Sequence, residues 1–448
     1  MVDIKREQLT VERERAVLVG VGLPARPLED YPEPLAELRG LATTAGALTI
    51  GAVTQRRQTP DVATYIGRGK VDEVGSIAKS NEADVVIFDN ELQPAQVRAI
   101  EQRTNTKVVD RTELILDIFA TRAQTHLARM QVELAQLEYL RPRLKRMWTH
   151  LERQHGGGIG SRGPGEKQLE TDRRLIDKKI RDLRDRLAVV QKRKEREVEA
   201  RSEELRVSLV GYTNAGKSTL MRRLTGADVY VADKLFATLD TRTKPWVLPN
   251  WGKVLLSDTV GFIRHLPHDL VASFKATLAE AVHADLLMHV VDASHPQAAE
   301  QIEAVNAVLK EIGADDKPSI LVLNQIDRIA PEERLPTLAR LERLHPVTAA
   351  VSAHSGEGID VLRNKVMEVL GKQHVEAEIN AHVGNGRLFA QLAAHARVME
   401  KHYEGDRAIL KVSAPRRLLA RIPSDEATVR ILNEFAPTNG ANGTNGIH

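Results

Sequence analysis

Cysteine is absent from the 448 residues. Disulfides, thiolate zinc sites and thiol catalysis are thereby excluded, which fits a reducing compartment. No apolar run approaches the ~20 residues needed to cross a bilayer. The first residues, Met1-Val2-Asp3-Ile4-Lys5-Arg6-Glu7-Gln8, are too charged for a signal peptide. The sequon Asn442-Gly443-Thr444 is therefore expected to be idle, and the chain cytoplasmic with no membrane span. A large net charge is also missing, since the formal total is only +3. That balance hides an uneven distribution: residues 141–200 hold 18 Lys and Arg against 10 Asp and Glu, or +8, which leaves −5 for the rest. A basic block inside a mildly acidic chain points to a local polyanion contact.

Hydrophobic content of 42% and charged content of 28% are ordinary for a globular protein, and the length implies several domains. Residues 1–120 alternate strand-like runs (Ala16–Leu23, Ala47–Val53, Ala83–Asp89, Lys107–Asp110) with helical ones, among them Pro94–Gln102. This pattern predicts a small α/β domain with a largely parallel sheet. Within it, Tyr65-Ile66-Gly67-Arg68-Gly69-Lys70 precedes a short helix. It lacks the first glycine of the triphosphate pattern, so a turn and helix start is the leading reading and a second phosphate site the alternative.

From Gln124 a heptad runs through Leu127, Met130, Leu134, Leu137, Leu140, Leu144, Met147 and Leu151, and it resumes at Leu169, Ile176, Ile180, Leu183, Leu187 and Val190. Between the two seams lies Gly156–Gly165, ten residues with six glycines. Residues 121–203 thus predict an antiparallel αα-hairpin whose arms reach roughly 37 Å. The tip exceeds what a connecting turn needs. Backbone without side chains can approach RNA closely, and Trp148, His150 and His155 lie near enough to stack on bases. Candidate RNA contacts are Arg153, Gly157, Gly158, Arg162, Lys167, Arg173 and Arg174; a solvated charged hairpin is the alternative. Residues 204–372 form a further α/β domain and residues 373–436 a small α+β domain, with a helix from about Arg387 to Tyr403. The low-complexity tail 437–448 is expected to be disordered.

The chemistry is concentrated at Gly211-Tyr212-Thr213-Asn214-Ala215-Gly216-Lys217-Ser218-Thr219, a match to G-x-x-x-x-G-K-[ST] between an apolar strand (Leu205–Val210) and a helix start. Amides of such a loop form a nest for phosphate oxygens, Lys217 reaches the outer phosphates, and the Ser218 hydroxyl ligates Mg²⁺. Downstream, Asp258-Thr259-Val260-Gly261 ends a strand. Asp258 is placed to hold Mg²⁺ through water, and the Gly261 amide to meet the γ-phosphate. Asn324-Gln325-Ile326-Asp327 follows a later strand. Asp327 is placed to accept from guanine N1 and its exocyclic amine, a pattern adenine cannot offer. Ser352-Ala353-His354 follows the last strand, where a backbone amide meets the guanine oxygen. This order of motifs is that of the translation-factor-related GTPases, so GTP and GDP are the expected ligands.

Over residues ~15–372 the chain resembles the HflX family of ribosome-associated GTPases. The resemblance rests on T-Y-I-G-x-G-K at Thr64–Lys70, G-G-G-I-G-x-R-G-P-G-E at Gly156–Glu166, L-E-T-D-R-R at Leu169–Arg174, the phosphate loop, and Leu235-Phe236-Ala237-Thr238-Leu239-Asp240. It implies a GTPase that binds the large ribosomal subunit and its rRNA with the hairpin tip near the peptidyl-transferase centre, and splits stalled or idle ribosomes. It also implies that Thr238 is the switch threonine ligating Mg²⁺ once GTP is bound, although Thr241 and Thr243 stand close by. Free protein is expected to be monomeric, and part of it ribosome-associated.

Two residues qualify the mechanism. Phe262 stands where many small GTPases place a water-orienting glutamine. Slow intrinsic hydrolysis is expected, with the ribosome or a rearranged loop completing the site. Asn214 matches the asparagine by which some related GTPases bind K⁺ beside the phosphates. Lys217, Thr238, Gly261 and Asn214 are thus the candidate catalytic set. Gln325 replaces the lysine of the usual N-K-x-D, so weaker affinity with retained guanine preference is expected. Two rival readings stay open: a nucleotide-gated RNA-binding or anti-association factor, and an ATP-driven RNA-remodelling enzyme using Gly67–Lys70.

Overall fold

The computed structural model describes residues 14–24, 35–144, 164–200, 205–226, 235–236, 241–249, 252–264, 280–372, 374–420 and 422–433. These fall into two compact units. The first runs to Arg193 and also contains the described pair Leu235 and Phe236. Its elements in order are β1 (Arg15–Gly22), α1 (Ala36–Ala45), β2 (Leu48–Arg56), α2 (Arg68–Ser80), β3 (Val85–Phe88), α3 (Pro94–Thr104), β4 (Lys107–Asp110), α4 (Arg111–Arg122), α5 (His126–Leu140) and α6 (Pro164–Ala200). The sheet order is β2-β1-β3-β4, parallel throughout. Val17, Leu18, Val86 and Phe88 are wholly buried, as a sheet with both faces covered requires.

In the Tyr65–Lys70 stretch the structure shows a turn leading into α2. Asp61 accepts from the amides of Ala63 and Thr64, and Tyr65 takes φ +64°. Lys70 pairs with Glu73 at 2.8 Å. Gln55 accepts from the amide of Gly67 at 2.9 Å.

The first arm of the seam is interrupted by a turn after α5. α5 ends at Leu140, a turn spans 141–143 and Leu144 is helical again; Met147 and Leu151 of the predicted seam lie outside the described residues. Within the turn Arg143 donates to the Leu92 carbonyl at 3.0 Å and to Asp110 at 3.1 Å, and its guanidinium lies 3.4 Å over the Tyr139 ring. The buried Asp110 carboxylate is thereby satisfied by a guanidinium. Met130 and Leu134 cluster with Ile180 and Leu183. Arg141 pairs with Asp177, and Glu138 with Arg184, so α5 and α6 run antiparallel. Pro164 and Gly165, read as part of the tip, belong to the first turn of α6, where proline is favoured. Arg153, Gly157, Gly158 and Arg162 lie outside the described residues; Arg173 and Arg174 are exposed on α6.

The second unit carries β5 (Arg206–Gly211), α7 (Lys217–Thr225), β6 (Arg242–Leu248), β7 (Gly252–Asp258), β8 (Leu286–Asp292), α8 (Ala298–Glu311), β9 (Ser319–Asn324), α9 (Pro331–Glu342), β10 (Thr348–Ala350) and α10 (Ile359–Gly371). The sheet order is β10-β9-β8-β5-β7-β6, with only β6 antiparallel to its neighbour. β5 is central, so the loop after it opens at the carboxyl edge, where open α/β sheets bind ligands.

A third sheet follows: β11 (His374–His382), α11 (Gly386–His395), β12 (Arg397–Glu404), β13 (Arg407–Pro415), α12 (Arg416–Leu419) and β14 (Ala427–Asn433), ordered β12-β13-β11-β14 and antiparallel. This corrects the helix expected to reach Tyr403. It stops at His395, and 397–404 pairs with β13 across a turn in which Gly405 takes φ +61°. The chain is thus a multidomain α/β protein with an antiparallel αα pair, a mostly parallel P-loop sheet and a small α+β module.

Candidate nucleotide site

The phosphate loop leaves β5 through Gly211, whose φ of +148° and surroundings admit no side chain: a Cβ there would lie 2.1 Å from the Val290 carbonyl oxygen. Gly216, at φ +87°, starts α7, and a Cβ on it would meet Asn324 Nδ2 at 2.4 Å. Lys217 is buried, its ammonium donating to the carbonyls of Gly211 at 2.9 Å and Tyr212 at 2.8 Å. Burial pushes its pKa down to about 8, partly offset by the nearby Asp258 carboxylate. The helix start and the loop amides make a compact cationic cradle suited to phosphate.

Ser218 Oγ donates to Asp258 Oδ2 at 2.6 Å, and Asp258 is fully buried at the end of β7. A hydroxyl beside a carboxylate is an all-oxygen donor set, which fits a hard cation of the Mg²⁺ type. Asp258-Thr259-Val260-Gly261 then runs along the phosphate loop. A Cβ on Gly261 would lie 2.7 Å from Thr213 Cα and 3.1 Å from Lys217 Nζ. The Thr259 hydroxyl turns away to the Leu209 carbonyl at 2.7 Å. Thr213 N donates to Phe262 O at 2.7 Å and Phe262 N to Gly211 O at 3.1 Å. Phe262 is 2% exposed, so its side chain fills a core.

At the far end three loops are laced together. Asn324 Nδ2 donates to Ala215 O at 2.9 Å, and its Oδ1 accepts from Ala353 N at 3.0 Å. Gln325 Nε2 reaches Asn214 O at 3.1 Å. Ile326–Arg328 form a one-turn 3₁₀ segment, with Ile326 buried and Asp327 exposed. Ser352 is buried and its hydroxyl accepts from Ser355 N at 3.0 Å, while His354 is exposed. The structure thus gathers Gly211–Thr219, Asp258–Gly261, Asn324–Asp327 and Ser352–His354 around one edge of one sheet.

Ala237, Thr238, Leu239 and Asp240 lie outside the described residues. Phe236 belongs to the first unit, 1% exposed at φ +55°, its ring edge-on to Phe119 at 4.7 Å. A Cβ on Gly40 would lie 3.1 Å from Leu235 Cδ1. Such a ring pair is worth ~0.5–1.5 kcal/mol beyond its burial. Thr243 is committed to the sheet, sharing a hydrogen bond with Ser257 at 3.0 Å.

Two residues went unnoticed in the motifs. Arg223 on α7 donates to the carbonyls of Ala353 (3.1 Å) and His354, clamping the last loop from 130 residues away. No local pattern encodes that distance. Arg328 donates to Gln325 Oε1 at 2.6 Å; a basic residue after the motif was its only trace.

The central phosphate loop, the oxygen pair beside it and the three-loop clasp define a P-loop GTPase. Family models agree along the chain: "GTP-binding GTPase N-terminal" over residues 32–120, "GTP-binding GTPase Middle Region" over 122–201 and "50S ribosome-binding GTPase" over 206–325. The GTPase HflX of Escherichia coli (strain K12) is 45% identical over 92% of this chain and 97% of its own length. That of Caldanaerobacter subterraneus subsp. tengcongensis is 48% identical over 72% and 74%. A GTP-binding protein from Sulfolobus solfataricus, solved with GDP, aligns over 80% of this chain and 98% of its own at 24% identity and a TM-score of 0.43. The chain belongs to the HflX family of GTPases. It hydrolyses GTP to GDP and phosphate. Among the described residues no helix is long and apolar enough to cross a membrane.

Proposed function

We propose that the protein is a Mg²⁺-dependent GTPase that binds the large ribosomal subunit and dissociates stalled or idle ribosomes, hydrolysis permitting its release. The carrying observation is that one chain joins the nucleotide site to a basic helical pair: α6 exposes Arg173, Arg174, Lys178, Lys179 and Arg181. The printed description of the matched central family, a 50S ribosome-binding GTPase, supports the same partner. In this reading residues 121–203 are the ribosome-contacting hairpin, Arg153, Gly157, Gly158, Arg162 and Lys167 touch rRNA, and residues 204–372 time the cycle.

Within that cycle Lys217 and the loop amides bind and orient the phosphates, Gly261 leaves room for them, and Asp327 selects guanine. Ser218, Asp258 and Thr238 would hold Mg²⁺, which supplies charge neutralisation on the phosphates when bound. Phe262 is buried and cannot orient water, so turnover by the free protein is slow and rises on the ribosome. Asn214, exposed at φ +61°, would favour K⁺ beside the phosphates. A sucrose-gradient profile of 70S particles with protein and either GTP or a non-hydrolysable analogue tests the reading. Splitting with both and recycling only with GTP is expected; intact 70S peaks under both conditions reject it. Phosphate release with and without large subunits, in KCl and in NaCl, separates the subsidiary claims. A rate indifferent to subunits removes ribosomal activation, and equal rates in the two salts remove K⁺.

A further inference from the structure

Guanine motifs of this kind normally place lysine after asparagine, and this chain has Gln325. A lysine there offers an aliphatic stem, one point charge and a donor toward the phosphate loop. Gln325 keeps the stem and the donor. Its Nε2 reaches Asn214 O at 3.1 Å, on a backbone held at φ +62°. The amide oxygen at the other end accepts from Arg328 Nη1 at 2.6 Å. The main chain closes the same turn, Arg328 N donating to Gln325 O at 3.0 Å. These two partners fix the amide's orientation chemically: a carbonyl can only accept, a guanidinium can only donate. A charged donor on the oxygen also strengthens the amide's own N–H bond to the phosphate loop.

We propose that Arg328 is a positioning residue for guanine recognition: with Gln325 it restores, as a two-residue relay, the charge and the phosphate-loop tie that one lysine supplies elsewhere. The proposal rests on Asp327 facing the base, since the relay holds the backbone on both sides of that carboxylate. The bland account is a surface ion pair. Arg328 does lie near Asp292, but at 4.0 Å with the arginine side chain 62% exposed. Such a pair contributes little and has no reason to affect nucleotide choice.

The test titrates labelled GDP and labelled ADP into the full-length protein and its variants. Arg328→Ala should weaken GDP about five- to tenfold, ADP by less than about twofold, and raise KM for GTP with kcat nearly unchanged. Arg328→Lys, which keeps a donor, should retain most of the affinity. In the Q325K background Arg328→Ala should cost less than about twofold, because lysine makes the relay redundant. Arg328→Ala with unchanged GDP affinity, or with the same loss in both backgrounds, overturns the proposal while leaving a GDP-selective protein. Equal binding of GDP and ADP by the wild type overturns the role of Asp327, and the relay with it.

Discussion

Two stretches of this chain look alike on paper and differ in space. Gly211–Lys217 and Gly67–Lys70 each place glycines and a lysine where a parallel strand system gives way to a helix. In the first, Gly211 and Gly216 sit at φ +148° and +87° with no room for a Cβ, and the lysine is buried over its own carbonyls. In the second, Gly67 has φ −65°, Gly69 faces open space, and Lys70 neutralises Glu73 one turn along. Glycine count does not distinguish them. What does is whether each glycine is required by a positive φ or a closed contact, and whether the lysine is held where a phosphate would go. The first is a nest; the second is a helix start.

The largest effect that bears on this contrast is catalytic. Lys217→Ala should reduce GTP turnover by about a thousandfold, the scale on which losing a charge stabiliser acts. Lys70→Ala should leave turnover within about twofold. Phosphate release with GTP and with ATP reads both. A Lys70→Ala protein that lost an ATPase and kept its GTPase would break the contrast and revive the remodelling enzyme.

Next comes stability. Gly211→Ala forces a Cβ into the Val290 carbonyl and should destabilise the second unit by about 3 kcal/mol or more. Gly69→Ala lies in the first turn of α2 with open space around it, and should be neutral or stabilising by up to ~1 kcal/mol. Urea unfolding followed by circular dichroism compares them. Equal losses would mean that the two loops are constrained alike.

The same logic explains what the sequence revealed. The nucleotide loops were legible because each function needs particular residue types at short fixed spacings, and the strands of both parallel sheets because burial on both faces leaves unbroken apolar runs. Three other features turned on partners outside their own segments. Strand β6 carries Pro245 and borders a sheet edge, so it has no apolar signature. Residues 397–404 satisfy a helical period as well as a strand's, and only pairing with β13 decides between them. The turn after α5 coincides with Arg143 reaching Asp110, 33 residues back. Arg223 and Arg328 were hidden for a related reason: each acts on a loop through one long side chain, which no motif specifies.

The smallest expected effect concerns the proton on Lys217. Burial lowers its pKa from 10.5 to about 8, so in the nucleotide-free protein the ammonium is about half discharged at pH 8 and mostly neutral above it. An unfolded chain keeps that proton until about 10.5 and so binds more protons between these values. By linkage, the lysine's contribution to stability therefore rises with pH across that window, opposite to the usual lysine case. Nucleotide binding should respond the other way. Phosphate oxygens beside Nζ favour the charged form, so binding above pH 8 takes up a proton and affinity falls as pH rises. The slope should approach about tenfold per pH unit. Calorimetric titration of GDP at pH 7.5, 8.5 and 9.0, in buffers of different ionisation enthalpy, measures that uptake directly. Lys217→Met should abolish both the uptake and the slope, whereas Lys70→Met should change neither. A pH-independent GDP affinity in the wild type would mean that the phosphate-loop lysine is as solvated as its counterpart in α2, and the contrast between the two loops would lose its electrostatic half.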